Sequence, residues 1–471
     1  MKILRKILVE LFKKFEEKKK NGKRFSKPRA EIYRLLAAYN LDKFCPIVNE
    51  DNLNEFICLL QEQGYIESIK DSTGNEVSPQ KLHWCIKSAL LRSYFSTVFG
   101  EKYKDVTPWG IYKQLKDTEV KDILKNNKNL ILTGAPGTGK TFMAKKIAKE
   151  ITGGDSYIGF AQFHPSYDYT DFVEGLRPDQ SKSFERVDGV FKSFCKCAYL
   201  GLPVNANLND IEEKEKEVKE VKELNTSKSE TTATPCYVFI IDEINRGEIS
   251  KIFGELFFSI DPGYRDDDNP QKIQTQYQNQ IKDQNDLFKD GFFVPKNVFV
   301  IGTMNDIDRS VESMDFAFRR RFAFYEVKAT GDMLDSLKIG VETIGKLKAT
   351  MNALNEAVIE SGLTEAYQIG AAYFKKIEKF YNSTEYKVRE FNQAMENLWN
   401  YHLKGTLYEY YRGEPDADKK MAELKNAYDN ALKWLISKTK WQRVTIGLLS
   451  NCLIIPSIPQ ILKIISKYLM N

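Results

Sequence analysis

A phosphate-binding loop is the clearest chemical signal in this sequence. Residues 134–141 match the pattern G-x-x-x-x-G-K-[ST] at every required position and directly follow the apolar run 130–132. Glycines in such a loop let backbone N–H groups converge on phosphate oxygens, and the next segment should form a helix whose positive end faces the anion. The residues expected to contact the nucleotide are Gly134, Ala135, Pro136, Gly137, Thr138, Gly139, Lys140, Thr141 and Phe142.

Within and beyond that loop, four residues have the chemistry that phosphate hydrolysis needs. Lys140 is expected to reach the outer phosphates, and the Thr141 hydroxyl is expected to hold Mg²⁺. A second apolar run, 237–241, ends in two adjacent carboxylates. Asp242 is expected to orient water on the same Mg²⁺, and Glu243 to polarise the water that attacks the terminal phosphate.

A third apolar run ends in polar residues that could sense the terminal phosphate. Asn305 is the candidate for holding the attacking water or that phosphate, and Asp308 just beyond it is a further catalytic candidate. Three consecutive arginines follow at 319–321. Phosphoryl transfer benefits from mobile cationic charge near the transition state, often supplied by a neighbouring subunit. Arg320 and Arg321 are therefore the predicted arginine fingers.

Strands that alternate with helices must position these residues. From about 119 to 328 the alternation predicts an α/β domain with a parallel sheet. Two polar segments, 209–235 and 261–291, interrupt it and are typical of solvated or partly disordered excursions, although the first could contain a short helix with a thin apolar stripe. The strand candidates are 129–133, 157–163, 236–241 and 297–302.

Helical periodicity returns after the α/β region. Residues 329–435 carry aromatic and aliphatic side chains at helical spacing, which predicts a small α-helical lid with those aromatics in its core. Residues 436–471 form an apolar tail broken by prolines, expected to pack against the lid, with contact to a neighbouring protomer or partner as the alternative. Polar residues and prolines interrupt this tail before it reaches the length of a membrane helix, so no membrane span is predicted.

Residues 1–118 precede the α/β region and read as a separate, mainly helical recognition or interaction domain. Helical spacing followed by strand and turn signals near 65–75 allows a winged helix, but a helical interaction domain is favoured. The first 30 residues contain twelve Lys or Arg against three Glu. They could contact nucleic-acid phosphates, although a solvated helix face is the favoured interpretation.

Composition narrows the class of protein. The chain has 471 residues, 42% of them hydrophobic, and a net charge of +5, so its length suggests about three domains. Its seven cysteines are scattered and it has only three histidines, which argues against a disulfide scaffold and against a zinc site. No signal-type apolar segment follows the N-terminus, so a cytoplasmic location is expected.

Together these motifs resemble AAA+ NTPases of the McrB type, the motor subunits of modification-dependent restriction systems. The run His164-Pro-Ser-Tyr discriminates better than the phosphate loop, because many unrelated NTPases share that loop. The family's Met-Asn-Thr-Ala-Asp-Arg-Ser and Gly-His-Ser-Tyr-Phe patterns differ here at 304–310 and 370–374. The resemblance covers about 120–415 and depends on segments 134–141, 162–178, 241–255, 302–321 and 369–374.

The resemblance implies an AAA+ core with a helical lid, assembled into a hexameric ring with nucleotide between protomers. It also implies that Arg320 or Arg321 acts in trans, and that an McrC-like partner stimulates hydrolysis and carries the nuclease. The family is associated with GTP, and ATP is the alternative. The expected function is a motor that drives a restriction nuclease along or against DNA. The alternative is an AAA+ ATPase that remodels a protein complex, with residues 1–118 binding protein.

Overall fold

The computed structural model describes residues 50–66, 69, 76–82, 87–92, 94, 107–178, 184–223, 235–265, 270–307, 316–385 and 387–431. The chain divides into two compact units, one running Val120–Arg443 and the other combining Met1–Glu119 with Val444–Asn471. The predictions made for the basic segment 1–30 and for the tail 436–471 lie outside the described residues. The predicted domain boundaries therefore stay predictions.

Seven strands are present in the described part of the larger unit. Five of them form one parallel sheet in the order β2-β5-β6-β1-β7, while β3 and β4 form an antiparallel hairpin. The strands are β1 (Asn129–Thr133), β2 (Ile158–Gln162), β3 (Glu174–Pro178), β4 (Phe184–Asp188), β5 (Tyr237–Asp242), β6 (Val298–Thr303) and β7 (Ala323–Glu326).

Helices flank the sheet and predominate among the described residues after β7. A π-helical turn, Trp399–Leu403, joins the last two labelled helices, and residues 417–431 are also helical. The α-helices are α1 (Glu50–Glu62), α2 (Thr107–Asn127), α3 (Lys140–Thr152), α4 (Tyr169–Phe172), α5 (Val190–Leu200), α6 (Leu208–Glu223), α7 (Ile249–Phe253), α8 (Leu256–Ser259), α9 (Phe316–Arg319), α10 (Val341–Glu360), α11 (Ala371–Lys375), α12 (Val388–Leu398) and α13 (Lys404–Tyr410).

Helix α1 belongs to the smaller unit. Leu53, Phe56 and Leu60 are almost fully buried on one face of the helix, as its sequence pattern predicts. The strand and turn that would distinguish a winged helix fall mostly on residues that the structure does not describe. The choice between a winged helix and a helical interaction domain therefore stays open.

The central strands are apolar on both faces because helices cover both sides of the sheet. Successive side chains of a strand point to opposite faces. Leu130 and Leu132 of β1 pack with Ile147 of α3, whereas Ile131 and its neighbours in β5 and β6 pack with Phe191 of α5. This arrangement confirms the predicted AAA+ α/β core.

Parallel pairing brings the carboxyl ends of four strands to one edge. Gln162 pairs with Asp242 across β2 and β5, and Leu132 pairs with Thr303 across β1 and β6. The polar residues that follow these strands therefore start from neighbouring positions. The four predicted strands agree with β1, β2, β5 and β6 to within one residue at each end, but β7 and the β3–β4 hairpin were not predicted.

Most described residues of segment 261–291 are exposed or half-buried, but a few buried residues in and next to it were not predicted. Phe288 and Phe292 are fully buried, and Ile273 forms a β-bridge with Phe292. Arg265 is 4% exposed and donates to the carbonyl of Val298 at 2.9 Å. These few buried side chains anchor an otherwise polar sequence. The average composition of the segment did not reveal them, because polar residues outnumber them. The described start of segment 209–235 lies in α6, in agreement with the helix alternative.

A buried ion-pair network fixes the β3–β4 hairpin against α5. Glu174 and Lys192 are both fully buried, with 2.6 Å between Oε2 and Nζ, and Arg186 Nη1 lies 2.9 Å from the same carboxylate. The Tyr277 N–H also donates to Glu174 at 2.8 Å. Burial by itself would raise the pKa of Glu174, but attraction to Lys192 and these hydrogen bonds lower it.

The same network extends to α6 and to the segment before β6. Lys196 Nζ lies 3.0 Å from Asp286 and 3.2 Å from Glu215, which is itself buried. The Leu287 N–H donates to Glu215 at 2.9 Å. Charged side chains far apart in the sequence therefore hold the hairpin and two polar segments in one place.

The C-terminal helices form the predicted lid. Leu347, Phe374, Phe391 and Trp399 are buried in one cluster, as the aromatic periodicity indicated.

No helix in the described part of the chain is both long enough and apolar enough to span a bilayer.

Replacing one partner of the buried network tests its role in stability. Lys192→Met removes the ammonium group and leaves Glu174 buried without its nearest counter-charge. We expect a loss of about 3–5 kcal/mol, seen as a lower thermal-unfolding midpoint of the full chain.

Lys149→Met is the matched control, because Lys149 forms an exposed pair with Asp155 at 2.7 Å. An exposed pair of this kind should contribute less than about 1 kcal/mol. Equal shifts in the two variants would show that burial of the Glu174–Lys192 pair has no special effect.

Candidate functional site

The phosphate loop joins the end of β1 to the start of α3. Gly137 and Gly139 have φ angles of 74° and 93°, in the left-handed region that favours glycine. Helix α3 begins at Lys140, and the N–H groups of a first helical turn have no partner within the helix. The loop and this helix start together offer backbone donors and a positive dipole end for an anion.

Lys140 lies over its own loop. Its Nζ donates to the carbonyls of Gly134 and Ala135, each at 2.9 Å. Burial lowers the pKa of Lys140, although attraction to Glu243 opposes that shift. The ammonium group is therefore already at the loop where phosphates would bind.

Three hydroxyl and carboxylate side chains meet where β5 and β6 end. The Thr141 hydroxyl donates to Asp242 Oδ1 at 2.7 Å, and the Thr303 hydroxyl donates to the same oxygen at 2.6 Å. Mg²⁺ prefers oxygen ligands and usually binds one or two protein groups together with water and substrate phosphates. Thr141 and Asp242 fit that role.

No group of three or more His, Cys, Asp or Glu side chains that could hold a metal occurs in the described ranges. This finding is compatible with a nucleotide-bound Mg²⁺, because that ion takes most of its ligands from phosphate and water. It gives no support to a separate, all-protein metal cage in the described part of the chain.

Glu243 is held in place from two sides. Asn305 Nδ2 donates to both of its carboxylate oxygens, at 2.8 and 3.0 Å, and Arg246 Nε lies 3.3 Å from Oε2. Its φ of 53° is unusual for a residue other than glycine, and such strained backbone often occurs at functional sites. Burial raises the pKa of Glu243, with Asp242 adding to that effect.

Most of these groups line one cavity of about 820 Å³, between the edge of the sheet and the lid, and Asp242 lies behind Thr141 and Thr303 of its wall. Its size falls within the range of small-molecule sites, and its mixture of aromatic and charged walls suits a nucleotide. The lining residues are Pro136, Gly137, Gly139, Lys140, Thr141, Phe142, Glu243, Arg246, Thr303, Asn305, Ile307, Tyr367, Ala372, Tyr373, Lys376, Thr406, Glu409 and Tyr410.

Several cavity residues were missed by sequence reasoning. Arg246 and Thr303 belong to runs that were recognised, so their position next to Asp242 and Glu243 could have been inferred. Glu409 and Tyr410 come from a lid helix whose sequence carries no nucleotide-binding pattern. Only the folding of the lid against the phosphate loop brings them into the cavity.

The lid and the phosphate loop are joined by their backbones. The N–H of Gly370 donates to the Pro136 carbonyl at 2.9 Å, and the N–H of Ala372 donates to the Gly137 carbonyl at 2.9 Å. A Cβ on Gly370 would lie 2.1 Å from the carbonyl carbon of Gly137. Only glycine allows the lid to approach the loop this closely.

The predicted arginine fingers have different surroundings. Arg320 is exposed. The Arg321 side chain is only 8% exposed, with Nε 3.9 Å from Asp261 and the guanidinium 5.9 Å from the centre of the Phe257 ring. Neither arginine lines the cavity of its own protomer. A role in a neighbouring protomer stays a prediction, and Asp308 lies outside the described residues.

Two further residues from the sequence motifs are placed at the margins of the site. Phe142 lines the cavity with a side chain that is 66% exposed. His164 is exposed after β2, with its ring edge-on to Tyr167 at 5.5 Å. The preceding residue, Phe163, donates its N–H to the Asp242 carbonyl at 2.9 Å. The His164 segment is therefore connected to the site through its backbone.

Substitution of Gly370 tests the contact between lid and loop. Gly370→Ala forces the two backbones apart, and we expect nucleotide affinity to fall about tenfold or more, because small displacements at a binding site are costly. Isothermal titration of the full chain with nucleotide provides the measurement.

Gly405→Ala serves as the control, since a Cβ at that lid position meets nothing within 4 Å. It should bind nucleotide as the unmodified chain does. If Gly370→Ala also binds normally, the close approach does not position the loop.

Comparison with known proteins agrees with this geometry. Residues 129–322 match the family model of the AAA domain (dynein-related subfamily). The chain is 34% identical over 273 residues to the Type IV methyl-directed restriction enzyme EcoKMcrB subunit of Escherichia coli (strain K12), covering 55% of this chain and 50% of that protein. It is 24% identical over 297 residues to the Type II restriction enzyme BsuMI component YdiS of Bacillus subtilis (strain 168), covering 60% of this chain and 80% of that protein.

A solved structure described as "a putative ATPase" from Cytophaga hutchinsonii is 13% identical, covering 61% of this chain and 80% of that chain, and its TM-score of 0.24 is too low to support an argument. The chain spans half the length of the E. coli subunit. The AAA match includes the phosphate loop, both carboxylates of the site and Asn305. On these grounds residues 129–322 form an AAA-type P-loop NTPase domain, and the chain is similar to the McrB subunit over 55% of its length.

Proposed function

We propose that this chain is the NTP-hydrolysing motor subunit of a McrBC-like restriction system. The observation that carries the proposal is the meeting of Lys140, Glu243 and Asn305 at one cavity, where Asp242 accepts hydrogen bonds from two residues of the cavity wall. Identity of 34% to a restriction-enzyme subunit supports the biological setting. The site supports the hydrolysis part of the proposal. Similarity to the E. coli restriction-enzyme subunit supports the coupling of hydrolysis to restriction.

In this proposal each residue has a distinct chemical role. Thr141 and Asp242 hold Mg²⁺, which when bound offsets negative charge on the phosphates. When nucleotide binds, the Lys140 ammonium group gives up its hydrogen bonds to the loop carbonyls and contacts the outer phosphates. Glu243 accepts a proton from the attacking water, and Asn305 orients that carboxylate and the water.

The remaining cationic charge is supplied by a second copy. The exposed Arg320 can approach a neighbouring protomer, whereas Arg321 is enclosed by its own protomer near Asp261. We therefore place Arg320 in the neighbour's site within a ring, which the resemblance makes hexameric. Asp308, which follows the Asn305 segment, remains a candidate for a supporting catalytic role.

The nucleotide and the partners follow from the resemblance. GTP is the proposed substrate and ATP the alternative, with an McrC-like nuclease subunit and DNA as partners in the cytoplasm. We assign residues 1–118 to recognition, 119–328 to nucleotide binding, 329–435 to the lid, and 436–471 to a tail that packs on the lid or on a partner.

Steady-state hydrolysis of GTP and ATP in parallel tests this function. We expect Mg²⁺-dependent hydrolysis that rises when DNA is added together with any nuclease encoded by an adjacent gene. Binding of DNA should weaken steeply with salt, because phosphate contacts release counterions. Hydrolysis without any response to DNA or nuclease, together with salt-insensitive binding of a protein, would instead indicate a protein-remodelling ATPase.

Glu243→Gln tests the proposed chemistry. The amide cannot accept the proton from water, so we expect kcat to fall by roughly 10²-fold or more while nucleotide binding persists. The matched control is Glu248→Gln, which removes the same charge from a side chain that is 48% exposed. Unchanged hydrolysis in Glu243→Gln would exclude this residue as the base.

A further inference from the structure

The lid presents aromatic and basic side chains in alternation along one helix. Tyr401 lies in the π-helical turn, Lys404 and Tyr408 lie in α13, and Arg412 follows just after that helix. Each is three or four residues after the last, a spacing that places side chains on one side of a helix. All four are exposed. Tyr401 is 72% and Tyr408 46% exposed, whereas most described aromatic side chains of the lid are buried.

A neighbouring segment of the lid adds positive charge next to Tyr401. The ring of Phe380 stacks on that of Tyr401, with 6.1 Å between their centres, and lies 5.8 Å from the ring of His402. Lys379, which directly precedes Phe380, is exposed. Burial lowers the pKa of His402, and the positive charges of Lys376 and Lys379 lower it further. Segment 375–380 and the turn before α13 therefore form one continuous surface.

The charge of this surface is positive. Segments 375–380 and 399–412 together contain five Lys or Arg against two Glu. One of the two acids, Glu409, has Arg412 Nη1 3.4 Å from its carboxylate. Among the described residues, none forms an ion pair with Lys379 or Lys404. The surface therefore offers cations that an anionic partner can contact.

The exposed tyrosines indicate which kind of anion fits. An acidic peptide would pair with the cations, but it has no general use for exposed aromatic rings. A single nucleic-acid strand offers phosphates to Lys and Arg, and it offers bases that stack on aromatic side chains whatever their sequence. Alternating tyrosines and cations are complementary to such a strand.

We propose that the surface formed by Lys379, Tyr401, Lys404, Tyr408 and Arg412 binds a single nucleic-acid strand. The tyrosine rings stack on bases, and the three cations contact phosphates. This inference rests on the proposed function in one respect, that nucleic acid is a partner, and it adds a contact to the recognition role assigned to residues 1–118.

The proposed surface is distinct from the nucleotide cavity but shares a helix with it. None of its five residues lines the cavity, whereas three other residues of α13 do, namely Thr406, Glu409 and Tyr410. A strand bound here would therefore contact the same helix that forms part of the cavity wall.

Fluorescence anisotropy of the full-length chain with a labelled oligothymidylate of about 16 nucleotides tests this surface. Lys379→Met and Lys404→Met each remove one phosphate contact, so we expect each to reduce the slope of log affinity against log salt by about 0.7. Tyr401→Ala should weaken binding about fivefold or more without changing that slope, because it removes a stacking ring. Tyr401→Phe keeps the ring and should retain most of the affinity.

Lys387→Met is the matched control. Lys387 is also exposed on the lid, but it pairs with Glu390, with 3.5 Å between Nζ and Oε1. This variant should change neither the affinity nor the salt slope. Photocrosslinking of the unmodified chain to a strand that contains 5-iodouracil, followed by peptide mapping, does not depend on the folding of any variant. We expect crosslinks at Tyr401 or Tyr408.

Two results would overturn the inference. If Lys379→Met and Lys404→Met bind the strand as Lys387→Met does, and crosslinks fall outside 375–412, the lid does not bind a strand. If these variants instead lose only the binding of a nuclease encoded by an adjacent gene, the surface is a protein contact. Nucleotide hydrolysis by the unmodified chain tests the proposed function separately, so either idea can fail while the other holds.

Discussion

One carboxylate oxygen is the point on which the site depends. Asp242 Oδ1 accepts hydrogen bonds from Thr141, after the phosphate loop, and from Thr303, at the end of β6. Because β5 and β6 are neighbours in the sheet, this single acceptor joins the end of β5 to the end of β6 and to the first turn of α3. The Glu243 N–H donates in turn to the Thr303 hydroxyl at 3.2 Å, which fixes the next carboxylate. Displacement of Asp242 would therefore disturb Thr141, Thr303 and Glu243 together.

A second constraint is the close approach of lid and loop. Two backbone hydrogen bonds, from Gly370 and Ala372, join the lid to the loop at Pro136 and Gly137. Because both partners are backbone groups, the contact does not depend on which side chains the lid presents. This contact therefore holds the lid against the phosphate loop.

Much of the core was predictable from local pattern. The phosphate loop has a fixed residue pattern, and the strands before Asp242 and Asn305 are apolar runs that end in polar residues. Such local patterns can be recognised without knowing which distant residues pack against them. Segment 261–291 lacks that property. Its polar composition gives no sign that Arg265 and Phe288 are buried, because their burial depends on surfaces supplied from elsewhere in the chain. The four-residue strand β7 was too short to give a periodic signal.

The sequence alone indicated the P-loop α/β core and the residues predicted to hydrolyse the nucleotide, because motif residues and their spacing are local properties. Only the tertiary structure decided which lid residues enter the cavity and that Arg321 packs against its own protomer. It also decided that Glu174 and Lys192 form a buried pair across 18 positions of sequence. The physical reason is that burial and charge pairing are set by distances in space, which a linear pattern does not contain.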